Sequence, residues 1–102
     1  MVKLIALYRR PQDPQQFERV YFGEHIPLTR KMPGLRKIEI NRITGAPRGE
    51  PEYYLVAGLY FDDAQTMQQS MASEESRAAA RVLRDLGAEV SMVLADVEEM
   101  SG

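Results

Sequence analysis

The sequence predicts an α+β domain of ferredoxin-like topology, β-α-β-β-α-β, with a four-stranded antiparallel sheet and helices on one face. Three observations carry this. Runs rich in apolar residues stand at 2–9, 35–44, 53–61 and 89–97, each of strand length. Capped segments with helical spacing separate the first from the second and the third from the fourth. The 102 residues suit one core but not two, so residues 1–102 are expected to form a single domain.

Taken in order, residues 2–9 (VKLIALYR) form a strand that ends at Arg10-Pro11. Asp13 then suits a helix N-cap and Pro14 the first helical position, while Gln16 stands where it can reach back to the cap. Phe17, Val20, Tyr21 and Glu24 follow at helical spacing, giving an aromatic stripe. Pro27 disfavours helical backbone at Ile26, so the helix should end or bend near His25, with a short turn over 28–32 before Pro33-Gly34. Residues 35–44 alternate, Ile38 and Ile40 against Lys37, Glu39 and Asn41, which describes a half-buried strand. The glycine- and proline-rich 44–52 is a loop. Residues 53–61 make the strongest strand, Asp62 or Asp63 caps a short helix over 64–71, and Ser73 caps another that Gly87 terminates. The last strand covers 89–97.

Composition removes much chemistry. The chain has no cysteine and one histidine, which excludes disulfides, thiolate metal sites, cysteine nucleophiles and a two-histidine metal site within one chain. A lone axial histidine would suffice for haem, but no second feature supports one, so no cofactor and no metal is expected. The net charge of −2 gives no electrostatic reason for nucleic acid, and the third strand lacks the Lys/Arg-Gly start of an RNA-recognition strand. No segment approaches the roughly 18–20 apolar residues of a membrane helix. The short run at 2–8 precedes two arginines and no cleavage site follows it. A cytoplasmic protein with no nucleic-acid or membrane partner is the expectation.

The strands carry too much apolar surface for one covered face. The first places Leu4, Ala6 and Tyr8 on one side and Ile5 and Leu7 on the other. The third places Leu55, Ala57, Leu59 and Phe61 opposite Tyr54, Val56, Gly58 and Tyr60, and the last is apolar on both sides. The purely aliphatic Leu55 side is assigned to the helices. The second face then needs cover from a second copy, which predicts a homodimer packed sheet against sheet and closing a barrel. In that reading Tyr54 and Tyr60, with Gly58 between them, line a cavity between the subunits that holds a small-molecule ligand.

The run Phe17-Glu-Arg-Val-Tyr21-Phe22-Gly-Glu-His25-Ile-Pro27-Leu28, followed by Met32-Pro33-Gly34-Leu35, resembles the EthD family of ethyl tert-butyl ether degradation. The likeness extends to the opening strand with its Arg-Arg-Pro and to the strand around Glu39–Asn41, most of the chain. Many members carry tyrosine or tryptophan where this chain has Phe22. The resemblance implies a dimeric α/β-barrel and kinship with cofactor-independent lactone isomerases, polyketide-tailoring decarboxylases or dehydratases, and small monooxygenases.

His25 alone has an ordinary pKa near neutrality, so proton transfer at pH 7 would use it first. The competing reading is a histidine that bonds a backbone carbonyl and packs on Tyr21. Tyr21, Phe22, Tyr54 and Tyr60 are the candidate substrate-binding residues, against a competing role in packing. The sequence therefore predicts a cofactor-free isomerase, dehydratase or decarboxylase, less readily an oxidoreductase. Its substrate is a small hydrophobic or aromatic oxygenated metabolite, and His25 is the general acid/base. The alternative is a non-catalytic ligand-binding or accessory protein of an oxidative degradation pathway.

Overall fold

The computed structural model describes residues 1–102. Four strands, β1 (Val2–Tyr8), β2 (Lys37–Arg42), β3 (Leu55–Phe61) and β4 (Val90–Asp96), form one antiparallel sheet in the order β2-β3-β1-β4. This is the predicted topology, with the two outer strands in sequence at the middle and edge of the sheet. Each strand is shorter than its apolar run by one or two residues at one end or both, as is usual where pairing partners run out. No helix is long and apolar enough to cross a membrane.

The helical layer starts with α1 (Pro14–Val20), where Asp13 accepts from the Gln16 N–H at 3.1 Å. The chain does not stop at Val20. It widens into a π turn (Tyr21–His25) and tightens again into α2 (Ile26–Thr29), so one rod carries a bulge in its middle. The Ile26 N–H reaches back five residues to the Tyr21 carbonyl. Pro27 explains the widening: it has no N–H for the Gly23 carbonyl, and in a regular helix its ring would press on that group. The expected bend near His25 therefore takes the form of a π turn.

Two further helices, α3 (Ala64–Met71) and α4 (Glu74–Leu86), complete the layer. Asp63 and Ser73 cap them by accepting from Thr66 and Ser76 N–H groups. Gly87 ends α4 at φ 72°, a left-handed position that costs a side chain strain.

The face assignment holds. Leu55, Ala57, Leu59 and Phe61 pair across from Tyr8, Ala6, Leu4 and Val2, and all eight are buried beneath the helices. The core divides in two, one part around Tyr8, Phe17, Tyr21 and Leu83, the other around Leu4, Met32, Phe61 and Met67. One difference stands out at the edge. α4 packs on the π turn and α2 and makes no close approach to β4. Met92 and Leu94, on the helix side of β4, are therefore exposed, as is Val93 on the other side.

Candidate functional site

Four residues of the bulged helix, Phe17, Tyr21, His25 and Thr29, stand four apart and are all buried. In a regular helix each four-residue step drifts by roughly 40°, so three steps would spread them over about 120°. The wider π turn removes part of that drift and keeps them in one row. The rings form a column: Phe17 stacks on Tyr21 at 5.1 Å and 12°, and Tyr21 on His25 at 5.0 Å and 26°.

His25 has two different nitrogens in this setting. Nδ1 donates to the Ala79 carbonyl of α4 at 2.9 Å, which fixes the neutral ring as the Nδ1–H tautomer. Nε2 lies 3.3 Å from Thr29 Oγ1, whose own hydrogen goes to the His25 carbonyl at 2.8 Å. The Nε2 lone pair is thus left without a committed donor. Burial lowers the His25 pKa below its ordinary value, and the bond to Ala79 only partly offsets this. At neutral pH the ring is a neutral base whose free nitrogen is Nε2.

A cavity of about 140 Å³ adjoins this ring, lying between the helices and the sheet of a single chain. Tyr8, Tyr21, His25, Thr29 and Ser76 are the polar residues of its lining, and Leu4, Ala57, Met32, Leu83 and other apolar side chains make most of its wall. Met92, half exposed, and Ala80 also line it, so its mouth lies in the gap between α4 and β4. An apolar cavity of this size accommodates a molecule on the scale of benzene. A larger cleft of about 370 Å³ lies by Arg9, Arg10 and the α4–β4 turn. It is polar, and Arg9 there is already paired with Glu52 and Glu89.

The predicted residues do not share one cavity. Tyr21 and His25 line the cavity under the helices. Phe22 lies behind Tyr21, edge-on at 5.0 Å, with the Arg42 guanidinium 4.8 Å above its ring. Tyr54 precedes β3 rather than sharing its face with Tyr60, and its hydroxyl donates to Glu18 of α1 at 2.8 Å. Partial burial and then the Glu18 carboxylate raise its pKa, with Arg42 on the other carboxylate oxygen. Tyr60 is on the opposite face of the sheet from His25, where its hydroxyl accepts from Lys3 and donates to Glu39. Within one chain Tyr54 and Tyr60 therefore stand apart: Tyr54 is drawn to α1 by the Glu18 carboxylate, while Tyr60 stays on the outer face of the sheet beside Gly58.

Two site residues escaped the sequence reading. Thr29 was signalled by its place four residues after His25. Tyr8 belongs to a strand face, and nothing local tells which residue of that face reaches the cavity beside the histidine.

The EthD domain pattern matches residues 9–98. An uncharacterized 11.0 kDa protein from the thcB–thcC intergenic region of Rhodococcus erythropolis is 29% identical over 96% of both chains. Among solved structures, an EthD family protein of Bacillus halodurans is 44% identical with a TM-score of 0.89, covering 98% of this chain and 99% of that one. The cofactor-independent oxygenase SnoaB of Streptomyces nogalater superposes at 0.73 with 17% identity, over 97% and 94% of the chains. A dimeric ferredoxin-like protein of Thermobifida fusca, of unknown function, gives 0.71 at 20% identity over 94% and 90%. The last two share the fold alone. With a pattern match across nearly its whole length and a 44% identical structural relative, the chain belongs to the EthD family.

Proposed function

We propose that this protein is a cofactor-free enzyme acting on a small hydrophobic oxygenated molecule, with His25 as general base and then acid. One observation carries the reading: a buried imidazole, neutral and pinned in one tautomer, has a free Nε2 and lines a mostly apolar cavity. Nε2 takes a proton from the bound molecule, and the resulting imidazolium gives it back at another atom. Isomerisation, dehydration and decarboxylation need no more than this. The oxygenase SnoaB supports cofactor-free chemistry on the same fold. The cavity belongs to one chain, so the ligand of this proposal sits under the helices rather than between two sheets.

A second reading, a ligand-binding accessory protein, is favoured by the bond from Nδ1 to Ala79, which a purely structural histidine would also make. Replacing His25 by Gln separates the two. A base makes turnover fall by about 10²–10⁴-fold while ligand affinity persists. Turnover reduced only a few-fold removes the acid–base role. The homodimer is proposed as well, supported by apolar residues on the outer sheet face and by the dimeric T. fusca neighbour.

A further inference from the structure

The cavity contains a second polar device that the base does not use. Tyr8 of β1 and Tyr21 of the π turn both line it, their ring centroids 5.1 Å apart and their planes at 76°. Phe17 braces the pair, edge-on to Tyr8 at 5.6 Å and stacked on Tyr21. Burial raises both phenols, Tyr21 to about 12, so each keeps its proton at neutral pH. A neutral imidazole lone pair and a protonated phenol, stacked 5.0 Å apart, thus border the same small apolar space.

We infer that Tyr8 and Tyr21 form an oxyanion-stabilising pair, and that the substrate is a small carbonyl compound with an acidic C–H beside the carbonyl. Tyr21, stacked beside His25, is the first donor, and Tyr8, its ring 5.1 Å from that of Tyr21 on the same wall, is the second. The inference rests on the proposed function in taking His25 as the base. His25 Nε2 removes the proton from the carbon, and the C–H electron pair becomes a C=C bond. The carbonyl π pair moves to oxygen, and the enolate accepts the Tyr21 O–H. The imidazolium then returns its proton to a different carbon or to the enolate oxygen, so no other reactant is consumed. Fixed donors in an apolar site suit such a charge because they need no reorganisation.

The probe is para-nitrophenol, an enolate mimic that is coloured only when ionised. The wild-type protein should bind it as the phenolate and lower its apparent pKa. Tyr21→Phe should weaken phenolate binding about tenfold or more, the scale of a lost hydrogen bond to a charge. Tyr8→Phe should weaken it by about threefold to fivefold, with the bound probe's pKa shifted back up, a change that loss of packing alone does not produce. His25→Gln should keep phenolate affinity within about threefold but abolish exchange of cyclopentanone's α-protons in D2O. Wild-type affinity and probe pKa in the folded Phe variants overturn the inference, as does absence of phenolate binding by the wild type. Where a Phe variant fails to fold, fluorotyrosine at position 21 replaces it, and its more acidic phenol should bind the probe more tightly. Exchange that survives His25→Gln overturns the base assignment alone, because phenolate binding is read separately.

Discussion

At the scale of single residues, the two ring nitrogens of His25 set the pH behaviour. Protonation adds an Nε2–H, and the acceptor within reach is Thr29 Oγ1 at 3.3 Å. Burial opposes that charge, so the folded pKa lies below 6.5. The unfolded chain therefore takes up the proton first as pH falls. Stability from the neutral buried ring is complete above the unfolded value near 6.5 and is lost as pH drops toward the folded pKa. A histidine titration by NMR should place the midpoint below 6.5. Thr29→Val, which keeps shape but removes the acceptor, should lower it further. His25→Gln should remove this part of the pH dependence of unfolding. An unshifted midpoint in Thr29→Val would show that Nε2 finds its partner elsewhere. His25 was legible in the sequence because composition left no other group to titrate near neutrality. Its partner Ala79 was not, since a backbone carbonyl has no sequence signature and lies 54 residues away.

At the scale of elements, what was legible was local chemistry. Asp13, Asp63, Ser73 and Gly87 each act within a few residues of themselves, and the structure uses all four as ends of helices. The π turn was legible only as a disturbance, because Pro27 announces a broken hydrogen bond without saying how the chain repairs it. The exposed helix side of β4 was illegible, since Met92 and Leu94 alternate like core residues and only the placement of α4 leaves them bare. Two glycines test how local such chemistry is. Gly34 and Gly87 both have positive φ, at 78° and 72°, so alanine at either costs about 1–2 kcal/mol of backbone strain. A Cβ at Gly87 meets open space, whereas at Gly34 it collides with the Thr66 methyl group of α3. Gly34→Ala should therefore destabilise more than Gly87→Ala in denaturant unfolding. Thr66→Ser, which deletes that methyl but keeps the backbone bond to Asp63, should recover the excess. Equal losses at the two glycines would mean that the 32–35 turn shifts away from α3 freely.

At the scale of the whole molecule, the shape argues for a second copy. The chain measures 39 × 36 × 18 Å, one sheet and one helical layer thick. A monomer of 11.6 kDa exposes about 5,800 Å² by the usual size scaling, while this chain exposes 6924 Å². The excess is comparable to the roughly 800 Å² that each partner contributes to an ordinary interface. Part of it lies on the outer sheet face, where Val93 of β4 pairs with Ile5 of β1 beside Leu7 and Val56. Lys3, Lys37, Glu39 and Tyr60 make the other part of that face polar, with Lys37 4.5 Å above the Tyr60 ring. An apolar half beside a charged half suits an isologous contact, because a two-fold axis brings each half against a self-complementary patch. Sedimentation at micromolar concentration should give about twice 11.6 kDa. Val93 is already half exposed, so Val93→Asp should leave the single chain folded and reduce the mass to one subunit. The cavity at His25 is walled by one chain, so ligand binding should persist in that monomer. A wild-type protein that is folded yet sediments as one subunit would remove the dimer, and the site under the helices would stand without it. Loss of binding on dissociation would instead show that the partner supports the helical layer from across the sheet.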